Sequence, residues 1–225
     1  MRHTVIYKSL VGIVGLAVAM SMASAQNIEL LVKHSSLSNG ADGVKRSTEF
    51  SERIIRTPNT VWVSRVLPAN AYTHSHHDQA KGGNAHKHFD ATTSTRWITK
   101  DASGILKVRL VPSDEKVLVN VTKPDFSNIG FDGSWEAAWS LIDPASLKRM
   151  KAGPVKGDLV TYTMVEKDRT LKVVWNNKLQ IPTLVESFDK NSRRETLVQV
   201  VGTPTELAWN KLQGLITKDY SDYLD

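Results

Sequence analysis

The chain contains no cysteine in 225 residues. Disulfides, thiolate metal centres and cysteine nucleophiles are therefore excluded, and the fold must be held by its apolar core alone. Long apolar runs are also missing. The longest, Leu10 to Met20, is broken by Gly12 and Gly15. It falls short of the roughly 20 residues that a bilayer-spanning helix needs. Charge of one sign is nowhere concentrated: Lys and Arg (29) are scattered among Asp and Glu (23), for a formal net charge of +6. Without a basic run or a basic-aromatic stripe, nucleic acid is not an expected partner, whereas an anionic membrane surface or an acidic partner stays open. The sequence also has no Gly-x-Ser-x-Gly elbow, no phosphate loop and no Gly-x-Gly-x-x-Gly turn.

What is present begins at the N-terminus. Arg2 and Lys8 form a short basic region ahead of the apolar stretch, and Ala23-Ser24-Ala25 follows it. Small residues in that alternation are what a signal peptidase reads. The expectation is a signal peptide over residues 1–25, Gln26 as the first mature residue, and export to an oxidising compartment, the bacterial periplasm. No transmembrane segment is expected in the mature chain. Residues 26–225 are long enough for one domain with a substantial core.

That mature stretch reads as mainly antiparallel β with a few helices, an α+β fold. Alternating or β-branched runs mark strands at Ile28–His34, Lys45–Arg56, Thr60–Leu67, Thr95–Thr99, Ile105–Val111 and Lys116–Val121. A later meander comprises Leu159–Val165, Thr170–Trp175, Leu179–Phe188 and Glu195–Val201. Short turns such as Lys167-Asp168 and Asn176-Asn177 join its members, which implies antiparallel pairing. Pro182 inside a strand predicts an edge or a bulge. Helices are expected over Ser134–Ile142, from Asp143-Pro144 through Met150, and from Thr203-Pro204-Thr205-Glu206 onward. The last of these matches a capping box, with a stripe of Ala208, Leu212, Leu215, Ile216 and Tyr223.

The order of strands, and the late pattern Leu171-Lys-Val-Val-Trp175, Leu179-Gln-Ile-Pro-Thr-Leu-Val-Glu186 and Asp189-Lys-Asn191, resembles the LolA/LppX/RseB-like lipoprotein-localisation superfamily. The resemblance covers about 150 residues and is carried by strands and turns, so no signature residue is transferred. It implies an open half-barrel sheet with helices over its concave face, and a carrier or sensor of lipid or lipoprotein rather than a catalyst. Under that reading Trp62, Trp97, Trp135, Trp139 and Trp175 are candidates to line an apolar cargo cavity, their alternative role being a packed core.

One segment stands apart. His74, His76, His77, His86 and His88 fall within fifteen residues, inside a polar loop spanning 69–90. Imidazole is a common ligand for Zn, Cu and Ni. The spacing is His-x-His, nine residues, His-x-His. If the arms pair as a hairpin around Lys81-Gly82-Gly83, His74 faces His88 and His76 faces His86. All four rings then share one side, with Cβ atoms roughly 5 Å apart across the strands. Such a set suits zinc tetrahedrally, or Cu(II) or Ni(II) in a flatter geometry, with His77, Asp78 and Asp90 as further donors. The leading expectation is thus a non-enzymatic exported protein whose loop binds a divalent transition metal for buffering, sensing or delivery. Loose chelation and pH sensing are the blander alternatives.

An enzyme reading is more remote. Thr73-His74-Ser75-His76-His77-Asp78, with Gly82-Gly83 after it, resembles the metallo-β-lactamase segment of a metal-dependent hydrolase. His74, His76 and Asp78 match. Gln79 stands where a third ligand belongs, the glycines come one residue late, and no histidine follows His88. His34 lies alone near a strand end and is expected to be a surface or half-buried residue.

Overall fold

The computed structural model describes residues 27–40, 42–67, 91–113 and 115–224. Its strands are β1 (Ile28–Asn39), β2 (Lys45–Thr57), β3 (Thr60–Val66), β4 (Thr95–Lys100), β5 (Leu106–Val111), β6 (Val117–Val121), β7 (Lys151–Lys156), β8 (Leu159–Glu166), β9 (Arg169–Asn176), β10 (Ile181–Phe188), β11 (Ser192–Gly202) and β12 (Ile216–Asp219). All twelve form one open sheet in the order β12-β6-β5-β4-β3-β2-β1-β11-β10-β9-β8-β7. Every pairing is antiparallel except β12 on β6. The first strand lies at the centre because the long β1–β2 hairpin leaves its other edge free, and β11 returns to pair there from Glu29↔Gly202 to Ser38↔Ser192.

Alternation along these strands decides which face is the core. Leu30 and Val32 of β1, Ile54 of β2, Val61 of β3, Ile98 of β4, Leu110 of β5 and Val198 of β11 are buried on one side. At about 25 cal/mol per Å² of apolar surface removed from water, this continuous face is the main source of stability in a chain without cross-links. It is covered by a 3₁₀ helix at Lys123–Ile129, by α1 (Trp135–Ser140) and by a second 3₁₀ helix at Pro144–Arg149. Ser134 caps α1, its hydroxyl accepting from the Ala137 N–H at 3.0 Å. Asp143 caps the next helix, accepting from the Ala145 N–H at 2.9 Å, with Pro144 in its first turn. Ile129, Phe131 and Trp135 press onto the central strands, whereas Leu147 packs on Val173 and Trp175 of β9.

Three sequence expectations need correction. The C-terminal helix does not form. Ala208–Leu212 is a single 3₁₀ turn, Gly214 adopts φ 82°, and Ile216–Asp219 becomes β12. The exposed edge of β6 offers a ladder that a helix here would leave unpaired, and the strand takes it. The capping box sits instead at Asp219 and Asp222, opening the 3₁₀ turn Tyr220–Tyr223. β7 was not among the expected strands; despite Pro154 it forms as a fully exposed, irregular edge strand. Several strands also run further than their apolar pattern, β1 reaching Asn39 rather than His34. Pro182 behaves as expected: the β10–β9 register shifts between Pro182 and Leu184.

Candidate functional site

Where the cover meets the sheet, a cavity of about 370 Å³ remains. Val32, Ile54, Val63, Ile98, Pro182 and Val185 line it from the sheet, and Phe131, Ala137, Ala138, Leu141 and Ile142 from the cover. Leu141 closes α1 with φ 66°, a left-handed conformation that leucine rarely adopts.

Gly130 and Asp132 complete the lining from the cover, and four polar residues complete it from the sheet: His34, Glu52, Arg96 and Thr196. Each sits on the core-facing parity of its strand, where the apolar series gives way. His34 continues Ile28, Leu30 and Val32, while Glu52 precedes Ile54, Arg96 precedes Ile98 and Thr196 precedes Val198. Cross-strand register brings them together, with His34 opposite both Thr196 and Phe50. The imidazole bridges its neighbours, Nδ1 to Thr196 Oγ1 at 3.1 Å and Nε2 to Glu52 Oε2 at 3.1 Å, and it stacks on Phe50 at 4.6 Å between centroids. The Arg96 guanidinium lies 3.8 Å from Glu52 Oε1 and donates to the Gly130 carbonyl of the cover at 3.3 Å. The chain of contacts therefore runs from β11 through β1, β2 and β4 to the cover, forming a polar latch at one end of an apolar space. Burial pushes the Glu52 carboxyl up, but the His34 hydrogen bond and the charges of Arg96, His34 and Arg65 outweigh it, and the net shift is downward.

Hydroxyl, imidazole and carboxylate in sequence is the order of a catalytic triad. Here it lacks its other half. Thr196 is paired on both sides, to His34 in β1 and Val185 in β10. The backbone N–H groups around it are thus committed to ladders, and no pair of them is directed at a developing oxyanion. The arrangement fits structure and recognition better than acyl transfer.

A second polar anchor is Arg56, which is 4% exposed. It donates to the carbonyls of Trp139 (2.9 Å) and Leu179, and its guanidinium lies 3.7 Å from the Trp139 ring centroid. Burial pushes its pKa down to about 10, so it stays charged at neutral pH.

The tryptophans divide. None of the five candidates lines the 370 Å³ cavity. Trp62 and Trp97 face away from it, because Val61, Val63 and Ile98 beside them in β3 and β4 pack in the core. They form a cluster with Trp209, at centroid distances of 6.2 and 6.5 Å. Trp139 donates to the Thr57 carbonyl at 2.8 Å, and Trp175 packs with Leu147. Trp135 lies in the core and lines a different cavity. Alternation along a strand was the signal that could have separated Trp62 and Trp97 from the cavity wall and assigned His34 to it. His74, His76, His77, Asp78, His86, His88 and Asp90 lie outside the described residues. Among the described residues no group of three His, Asp or Glu is placed to hold a metal ion.

The sequence matches no protein-family model and no curated protein. Solved structures do resemble the chain. One is a domain of the outer-membrane lipoprotein-sorting type from Vibrio parahaemolyticus (9% identity, 82% of this chain and 89% of that one, TM-score 0.34). Another is a LolA superfamily protein from Nitrosomonas europaea (6% identity, 78% and 84%, TM-score 0.35). A third is the MucA/MucB complex of Pseudomonas aeruginosa (10% identity, 85% and 56%, TM-score 0.29). At TM-scores this low the superpositions carry no ligand or activity over to this chain.

Proposed function

We propose that the chain is a non-enzymatic carrier or sensor that holds the apolar part of a lipid or lipidated protein between its sheet and its helical cover. The observation behind this reading is the 370 Å³ cavity, walled by aliphatic side chains and closed at one end by His34, Glu52, Arg96 and Thr196. Ligand pockets typically measure roughly 300–1,000 Å³ and combine an apolar wall with a few fixed polar groups. The test is uptake of a fluorescent fatty acid by delipidated protein, together with native mass spectrometry of freshly purified material. Ala138→Phe places a ring in the cavity and is expected to weaken uptake about tenfold while leaving the circular dichroism unchanged. Repeatedly clean protein that takes up no probe removes the proposal.

A second reading rests on sequence spacing alone. The paired His-x-His arms hold a divalent cation, zinc first and copper or nickel next, for buffering or delivery. Changing His74, His76, His86 and His88 together to Ala is expected to abolish stoichiometric metal in elemental analysis of untagged protein. Undiminished metal in that variant sinks the reading. Export to the periplasm belongs to both readings, and N-terminal sequencing of secreted material is expected to begin at Gln26.

A further inference from the structure

We propose that the sheet face opposite the helical cover carries a binding site for an aromatic carboxylate, and that the indole of Trp209 fills the ring half of that site in this structure. None of Trp62, Trp97, Trp209 and Arg109 lines the 370 Å³ cavity. The inference therefore goes beyond the carrier reading and does not rest on it.

The site is built from one row of side chains across four strands. Trp62 of β3 stands opposite Trp97 of β4, Trp97 opposite Arg109 of β5, and Arg109 opposite Asn120 of β6. Residues paired in this way share a face, while Val61, Ile98, Val108 and Val119 beside them hold the other face in the core. The C-terminal segment lies over this row. Trp209 stands 6.5 Å from Trp97 between ring centroids, with the planes 15° apart, and 6.2 Å from Trp62. The Arg109 guanidinium is 4.4 Å from the centroid of the Trp97 ring.

Two donors in the row are unmet. Trp97 Nε1 is buried and has no hydrogen-bond partner among the described residues, and Arg109 forms no ion pair there. Burial pushes the Arg109 pKa down, and no carboxylate opposes that shift. Asn120 Oδ1, at the end of the row, is likewise buried without a partner. Asp219 of the adjoining strand is taken up in capping the Tyr220–Tyr223 turn. An indole offers one N–H and no acceptor, so Trp209 fills space over the row without satisfying it. A planar ring bearing a carboxylate does both. The ring stacks on Trp97 as Trp209 does, and the oxygens accept from the guanidinium and the Trp97 N–H. A neutral ring leaves the guanidinium unpaired, and a small oxyanion leaves the tryptophans uncovered once Trp209 is displaced.

The segment that carries Trp209 is suited to moving aside. No residue from Thr203 to Asp219 is buried, and its sheet pairing is the four-residue β12. Gly202 and Gly214, at φ 148° and 82°, bracket the stretch that holds the indole. Local opening is drawn from such thinly packed segments. Packing of tryptophans is the ordinary explanation of the cluster. It accounts for the three rings, but not for a sealed N–H beside an unpaired guanidinium.

The experiment titrates the full chain with naphthoate and, in parallel, with the neutral naphthalenemethanol, by isothermal titration calorimetry. Saturable binding of one naphthoate per chain is expected, at least about tenfold tighter than the alcohol. Arg109→Gln is expected to weaken naphthoate by about tenfold or more. Trp209→Ala empties the ring half and is expected to tighten naphthoate by about tenfold, since the competent state no longer has to be opened. Ala138→Phe, which plugs the first cavity, is expected to leave the affinity unchanged. Equal affinities for acid and alcohol, undiminished binding in Arg109→Gln, or a folded Trp209→Ala that binds no better than the parent overturns the proposal. Loss of binding in Ala138→Phe also overturns it and places naphthoate in the first cavity. If Trp209→Ala fails to fold, Arg109→Gln and the alcohol decide.

Discussion

His34, Glu52 and Arg56 are three polar side chains on the core-facing parity of their strands, and each is retained there for a different physical reason. Arg56 is a buried cation whose described hydrogen bonds all go to carbonyls of the cover and of the turn before β10. Removing it leaves those acceptors without their donor inside the protein. Arg56→Met is expected to lower unfolding stability by about 3 kcal/mol in urea titrations, and Arg56→Lys to recover little, since an ammonium cannot reach carbonyls in the fork geometry of a guanidinium. Full recovery by lysine refutes the anchoring role. Glu52 carries the charge of the latch. Its folded pKa lies below the ordinary value of 4.5, so its contribution is fully present above that pH and is lost as pH falls through the folded value. Glu52→Gln is accordingly expected to cost about 1 kcal/mol at pH 7, and the two proteins are expected to converge in stability well below pH 4.5. A gap that stays constant down to pH 3 excludes this role.

Among the elements, the hairpins follow their turns closely, and the departures have identifiable causes. Pro182 interrupts β10 and the register slips beside it, which is how a sheet accommodates a residue without an N–H. The two helix caps, Ser134 and Asp143, lie where their chemistry puts them. The C-terminal segment is different: a capping box and an apolar stripe favour a helix locally, yet Trp209 packs against Trp62 and Trp97 while Tyr220 enters the principal core. No continuous helix over 208–223 serves a sheet pairing at Ile216–Asp219 as well. The β8–β9 turn carries a small local cost, because Lys167 holds φ 53°. Lys167→Gly relieves that conformation and is expected to raise stability by up to about 1 kcal/mol. A lower unfolding midpoint would mean that the lysine side chain makes a compensating contact.

For the molecule as a whole, one open sheet of twelve strands with its cover on one face leaves space where strand curvature and helical packing do not match. Strand content, most strand positions and the antiparallel meander were legible from alternation, and so was the change from apolar to polar along β1, because these depend on neighbours along the chain. The central position of β1 was not, since its pairing with β11 joins residues such as His34 and Thr196 that are 162 apart in sequence. The same holds for the His34–Glu52–Arg96 latch, for the Lys100 ammonium over the Trp135 ring, and for the fate of the C-terminal segment. Local sequence determines which side of a strand a residue occupies. Which strands lie together, and therefore which side chains share a cavity, is settled by long-range pairing and burial in the folded chain.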